Sequence, residues 1–415
     1  MLNRAVILGA FAPTLVSGHG ALVIPRSRNA VDGDVSPWNK PIPVGPHGGV
    51  PTTGEPYCPM PDASAPNTKA GRISAANAQA CFWFSNGCST GCLCDGVSRG
   101  PIPNVPCKDP NPNSTEPCAR KRDVCGAGPA PITIPREART VNTGAIEGAV
   151  DDYYQYSPWR APGSAVVRDP CGMAGGGLAP SAQFGISYQN TSHAQFGSRG
   201  SALPTLPAGP AGGKKPAAAA QWTAGDVVEV SWSLTANHGG GYYYRLCKVP
   251  EDGAPPTEKC FQQTPLRFVG RTALRWDGDD ASKEYINNVF VEQGTTPAGS
   301  QWAMNPIPRN DSAQTGASFA PLCNETCTGC SAGGGCPDCR CTGEWGVPNL
   351  EIVDNVALPW ALPEGDYLLG WRWDCEESNQ VWQNCADVHI KAAPMAPDER
   401  RLVDDDDTAI PARAE

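Results

Sequence analysis

Charged side chains are scarce in this 415-residue chain: Asp, Glu, Lys and Arg make up 18% of it, and the balance is acidic, with a net charge of −10 and a pI near 5.1. A surface without positive excess repels polyanions, which excludes nucleic acid and an anionic membrane as partners and leaves a neutral polymer as the better fit. Long apolar runs are missing too. Past Gly18 no stretch is apolar enough to span a bilayer, and the C-terminus has no hydrophobic tail of the kind a lipid anchor replaces, so neither a span nor a tether is expected. Long helices are excluded from much of the chain, because 46 glycines and 43 prolines exceed a fifth of the residues and favour turns and irregular loops. Histidine is nearly absent, with five in all.

Cysteine, by contrast, is plentiful. All 19 cysteines lie beyond Ser17, a density that in a loop-rich chain points to disulfides made in an oxidising compartment. Sequons at Asn113, Asn190, Asn310 and Asn324 agree with a eukaryotic secretory route. The cluster Cys323, Cys327, Cys330, Cys336, Cys339 and Cys341 contains two C-x-x-C pairs, but only five residues separate them, against about fifteen to twenty in a zinc ribbon, so disulfides are expected there as well. An odd total leaves one thiol over, and the pairing itself cannot be read from sequence. Met1 to Gly18 has the form of a signal peptide: Arg4 supplies the positive start, Ala5 to Val16 the apolar stretch, and Val16-Ser17-Gly18 the small residues for cleavage. A transmembrane anchor is the competing reading, disfavoured by the shortness of the stretch and by Pro13. Cleavage after Gly18 predicts a secreted, extracellular protein that begins at His19.

Alternation of apolar and polar residues marks the strands. In AGDVVEVSWSL, Val228, Val230, Trp232 and Leu234 alternate with Glu229, Ser231 and Ser233, the period of a half-buried strand. HGALVIP predicts a strand ending at Pro25, and GYYYRLCKV a second one entered through the turn NHGGG. GDYLLGWRWD puts Tyr367, Leu369, Trp371 and Trp373 on one face; QVWQNCADVHI does the same for Gln380, Trp382, Val388 and Ile390, and the short link between them predicts an antiparallel hairpin. Strands without alternating helices give an all-β fold, an immunoglobulin or fibronectin-III-like antiparallel β-sandwich with long disulfide-pinned loops. One domain is expected over 19–392, with Cys/Pro/Gly-rich insertions at about 39–130 and 304–345, no appended binding domain, and a disordered acidic tail over 393–415. The first insertion holds one apolar patch, ACFWFSNGC, and 201–219 is a Pro/Ala/Gly-rich bridge.

A first-residue histidine has a chemistry that no internal residue can copy. Its α-amino group, with an unperturbed pKa of about 7.7–8.0, and its ring nitrogen can bind one metal ion as a chelate. A second imidazole would complete a T of three nitrogens. His47 in a Pro/Gly loop, His193 behind a sequon and His389 on the outward face of its strand are each expected to be solvent-exposed, and His238 stands in the turn NHGGG. A turn histidine that merely caps a hairpin is the bland alternative.

The segment LTANHGGGYYYRLC resembles the strand, turn and strand of lytic polysaccharide monooxygenases, in which a histidine before glycines supplies the second copper ligand; here that residue is His238. The opening HGALVIPRSR is similar to the family's mature start, NCADVHI to its last core strand, and DPCGMAGG to a Cys/Gly-rich stretch of its chitin- and cellulose-active animal and algal branch. These anchors frame His19 to about Lys391, while the loops between them match poorly. The axial position beside copper, usually Tyr or Phe five residues before the Asp of the final strand, falls on Trp382 before Asp387, a departure because an indole has no phenol to donate. A core residue in phase with Val388 and Ile390 is the alternative for Trp382. Gln380 is similar to a glutamine that some members use to orient bound oxygen species. The resemblance implies one copper ion cycling between Cu(II) and Cu(I), an external electron donor, and O2 or H2O2 as co-substrate. It also implies oxidation of C1 or C4 in the glycosidic bonds of an insoluble polysaccharide, chitin or cellulose, by a monomer. Trp38, Tyr242 and Trp159 are candidates to stack on sugar rings, with inward packing as the alternative.

Three rivals follow from the same residues: a non-catalytic chitin- or cellulose-binding protein, a copper-handling protein using the two histidines, and a glycosidase. For the last, the acids of DCEES crowd one hairpin turn, whereas paired carboxylates flank a sugar at about 5–9.5 Å and usually come from separate strands.

Overall fold

A computed structural model of the chain describes residues 19–30, 83–84, 158–176, 190–203, 220–236, 239–276, 280–307, 350–376 and 380–394. The strands are β1 (His19–Ile24), β2 (Trp83–Phe84), β3 (Met173–Ala174), β4 (Ala220–Thr223), β5 (Val227–Ala236) and β6 (Gly241–Lys248). After a single helical turn α1 (Glu258–Phe261) come β7 (Arg267–Phe268), β8 (Thr272–Trp276), β9 (Glu284–Ile286), β10 (Phe290–Val291), β11 (Trp302–Met304), β12 (Leu350–Ala357), β13 (Gly365–Asp374) and β14 (Val381–Lys391). Thr257 caps α1, its hydroxyl accepting the N–H of Cys260.

Two sheets result, and the fold is an all-β sandwich. One runs β1-β5-β12-β8-β9, with β7 also on β12; the other runs β10-β11-β6-β13-β14-β2-β3, with β4 parallel to β14. The expected hairpin of β13 and β14 is present, with Trp373 opposite Trp382. β5 and β6 do not pair: they belong to different sheets, so NHGGG is a corner between layers rather than the turn of a hairpin. A second correction concerns the apolar patch in the first insertion, expected to be loop: Trp83–Phe84 is a short strand joining β14 to β3. The rest of that insertion, residues 308–349, 204–219 and the acidic tail lie outside the described residues.

Apolar faces meet between the sheets as the alternation requires. Val228, Val230 and Trp232 of β5 and Ile352 and Val356 of β12 pack on Tyr242, Tyr244 and Leu246 of β6, Leu369, Trp371 and Trp373 of β13, and Trp382 and Val388 of β14. The Trp232 ring lies 4.7 Å from that of Tyr242, 5.1 Å from Trp371 and 5.3 Å from Trp373. Each such ring buries about 150–250 Å², about 4–6 kcal/mol at about 25 cal/mol/Å², so this cluster is the main grip of one sheet on the other.

The outward faces are polar yet largely covered. Ser231 donates to Glu351, which is buried and held by Arg275 at 2.6 Å; Arg275 reaches on to Glu229 and Asp280. Behind the other sheet, Arg372 binds Asp374 at 2.6 Å, and Arg245 and Arg372 both bind Glu258. Burial opposes the charge on Glu258, but the two guanidiniums outweigh it and hold the carboxyl below the usual range. Disulfides Cys171–Cys385 and Cys247–Cys260 fasten residues 158–176 and α1 onto that face.

One carboxylate sits inside the sandwich. Asp354 faces the core and accepts from Thr272 (2.6 Å), Tyr242 (2.9 Å) and Tyr244 (3.4 Å). Burial pushes its carboxyl from the ordinary 3.8 up to about 6, against the pull of those three hydroxyls. A raised folded-state value means that the contribution to stability is complete below the unfolded value and is lost as pH climbs through about 6. Between pH 4 and 7 this group alone removes about 2 kcal/mol. Asp354→Asn is expected to abolish that loss, which urea denaturation at stepped pH measures; parallel pH profiles for the two proteins would exclude it.

Candidate copper site at one end of the sandwich

Strand pairing gathers six chain positions at one end. His19 is opposite Ala236 at the end of β5, Gly241 is opposite both Asp374 and Met304, and Asp374 is opposite Val381 at the start of β14. The ladder is irregular between His19 and Gly20, where Thr235 on β5 is passed over. Such bulges re-aim the side chains beside them. β1 is an edge strand, and part of its free edge is satisfied from the other sheet: Asn384 of β14 accepts the N–H of Leu22 at 2.8 Å. β1 and β14 both run away from this end, so Trp382 is level with Gly20, and Gln380 lies beyond it at the rim.

The glycine run after β5 is clamped on both sides. Trp373 donates its indole N–H to the carbonyl of Gly239 (2.7 Å), and the carbonyl of Gly240 accepts from Asn305 (2.8 Å). Gly240 has a φ of 79°, and a β-carbon there would lie 2.0 Å from the backbone oxygen of Asp374. Only glycine fits. Gly240→Ala is expected to cost about 2–5 kcal/mol from the left-handed backbone and the overlap together; an unchanged urea midpoint would show that the clamp is absent.

Of the residues singled out in the sequence, the side chain of His19 and the whole of His238 lie outside the described residues, while the neighbours of both are placed: Gly20 on one side, Ala236 and Gly239 on the other. Trp382 is 1% exposed, in the same core cluster as Val388 and Ile390, and opposite Phe84 as well as Trp373. Gln380 is also buried; its side-chain oxygen accepts from Nε1 of Trp382 at 3.3 Å, and its carbonyl accepts the Cys375 N–H that closes the hairpin. The two are therefore one hydrogen-bonded unit at the site's end of β14.

Other expectations fare unevenly. Tyr242 and Trp159 are fully buried, so neither presents a ring to a sugar; Trp38 and His47 lie outside the described residues. His193 was expected in solvent, but it is half-buried, its Nε2 3.0 Å from the carbonyl of Arg28, because residues 190–203 fold back on the segment after β1. His389 is partly exposed and 2.8 Å from Asp366. In the acidic turn after β13, the oxygens of Asp374 are taken by Arg372 and by the N–H of Gly163, which removes it as a hydrolytic acid or base. Two contributors went unseen in the sequence: Asn384, whose target is the backbone of β1, and Trp373, whose inward face was legible but not the destination of its N–H.

Among the described residues no group of three or more His, Cys, Asp and Glu is gathered that could hold a metal ion, and no helix is long and apolar enough to cross a membrane. No family model matches the chain. Among solved structures it is similar to a lytic polysaccharide monooxygenase from Thermobia domestica in the Cu(I) state, at 14% identity over 41% of this chain and 62% of that one, with a TM-score of 0.21. It is also similar to a cellulose-active lytic polysaccharide monooxygenase in complex with copper, at 18% identity over 42% of this chain and 54% of the other, TM-score 0.19. A third likeness is to a putative membrane anchored protein from Corynebacterium diphtheriae, at 13% identity, with coverage of 44% and 34% and a TM-score of 0.19. The chain spans less than two thirds of the length of each. Likeness this slight transfers no activity.

Proposed function

We propose that this chain is a secreted copper-dependent monooxygenase of the lytic polysaccharide type, acting on the glycosidic bonds of an insoluble polysaccharide such as chitin or cellulose. The observation that carries the reading is the pairing of His19 with Ala236, two residues ahead of His238. Covalent geometry then keeps the two histidine Cα atoms within about 13 Å, a span that two imidazoles can bridge through a common ion. The donor set suits copper: an α-amine and two neutral imidazoles give three nitrogens and no carboxylate. Held by His19 and His238, copper would supply a Cu(II)/Cu(I) couple that, with an external electron donor and O2 or H2O2, oxidises C1 or C4 of the sugar linkage.

The rest of the chemistry belongs to the chain. Trp382 closes the inner side of the site with an apolar ring and has no phenolic proton to give, so proton movement falls to other groups. Gln380 is buried and tied by its oxygen to Trp382, and in this reading its amide group orients a co-substrate. Incubation of the mature protein with chitin or cellulose, with and without copper and ascorbate, tests the proposal by mass spectrometry of the released products. Oxidised oligosaccharides that need both additions support it. Binding to the polymer without products would make the chain a binding module, and copper uptake without polymer affinity would make it a copper-handling protein.

A further inference from the structure

Four tryptophans crowd the end of the core beneath the two histidine-bearing segments, and their indole N–H groups have different fates. Nε1 of Trp382 goes to Gln380; that of Trp371 finds no hydrogen-bond partner among the described residues; that of Trp373 reaches out of the core to the carbonyl of Gly239 at 2.7 Å. The ring of Trp373 also lies against β1, where a β-carbon on Gly20 would fall 3.0 Å from its Cε3. One side chain thus touches the residue after His19 and the residue after His238. It is rigidly mounted: Trp373 is fully buried on β13, packed against Trp232 at 5.3 Å, and the next residue, Asp374, pairs with Gly241.

We propose that Trp373 is the positioning residue of the copper site, its ring seating the segment that begins at His19 and its N–H fixing the glycine corner that carries His238. The inference rests on the copper reading of these two histidines. The physical need is clear from the corner itself. Gly239, Gly240 and Gly241 are three glycines in a row, the first two with φ of 61° and 79°, and such a run has more backbone freedom to lose than any other. A buried carbonyl bonded to a buried N–H removes that freedom at the residue adjoining the ligand, and breaking the bond costs the buried indole its acceptor. Outer partners of this kind fix ligand orientation, and their loss typically lowers metal affinity about tenfold to hundredfold.

The test uses the mature protein beginning at His19, its Trp373→Phe variant, and Trp302→Phe as a control that loses a buried indole on the far face of the same sheet. Expected for Trp373→Phe are a Cu(II) affinity lowered about tenfold to hundredfold, a changed copper hyperfine splitting in the electron paramagnetic resonance spectrum, and faster amide exchange at Asn305 in the metal-free protein. Trp302→Phe is expected to keep the wild-type spectrum. A folded Trp373→Phe protein with wild-type affinity and spectrum overturns the inference and leaves the copper reading standing. Wild-type protein that takes up no Cu(II) overturns that reading and the inference with it. Should Trp373→Phe fail to fold, Gly20→Ala is read in its place, since its methyl group presses on the same ring: an altered spectrum supports the inference and an unaltered one overturns it.

Discussion

Replacing His238 with alanine is expected to lower Cu(II) affinity by about two orders of magnitude and to end the release of oxidised oligosaccharides while the protein stays folded. A protein metal site worth about 10–16 kcal/mol divides into about 3 kcal/mol for each of its ligands, which is the loss of one imidazole. Folding should survive because the corner is held by its backbone, through Gly239 on Trp373 and Gly240 on Asn305. Adding one residue ahead of His19 should cost more, since it removes the α-amine and with it the chelate that the amine forms with the ring. Calorimetric titration with Cu(II) checks both, and a His238→Ala protein that binds copper as tightly as the parent sinks the assignment.

The second large effect is on stability. Arg28, just past β1, binds Asp387 of β14 through both carboxylate oxygens, at 2.6 Å and 3.0 Å, with both side chains nearly inaccessible. It also donates to the carbonyls of Gly200, Ser201 and Leu203. Arg28→Met leaves the Asp387 charge buried without its partner, for which about 3–5 kcal/mol is the expected loss. Asp387→Asn should cost less, since Arg28 keeps its three carbonyls and an amide oxygen. Equilibrium unfolding in urea measures the difference; equal losses would mean that the carbonyl contacts contribute nothing.

What was legible in the sequence was what local periodicity records. The alternation at Val228, Val230 and Trp232 named the inward face of β5, and the spacing of GDYLLGWRWD and QVWQNCADVHI named a hairpin whose register has Trp373 opposite Trp382. Pairings between distant residues were not legible, because nothing at Arg28 announces Asp387, 359 positions away. Cys171 and Cys385 each stood in a segment that resembles the monooxygenases, yet their bond to each other could not be read from spacing. NHGGG looked the same whether it turned a hairpin or passed between sheets, since glycine permits both. Trp373 shows why the candidate site is only half readable: period two tells which way its indole points, and the partner of its N–H is set by a segment more than a hundred residues earlier.

β14 is the last of the described strands, yet it holds the first. Asn384 takes the N–H of Leu22, Asp387 takes Arg28, and Cys385 closes on Cys171. β5 can pair with the opening strand earlier, but until nearly four hundred residues have been released its contacts to the second sheet are missing. Were a leader removed ahead of His19, as the proposed function requires, the junction would be met before β14 had sealed that strand, and the new amine would take its place only afterward. Maturation and assembly would then occur in a fixed order, with trimming first and metal capture last.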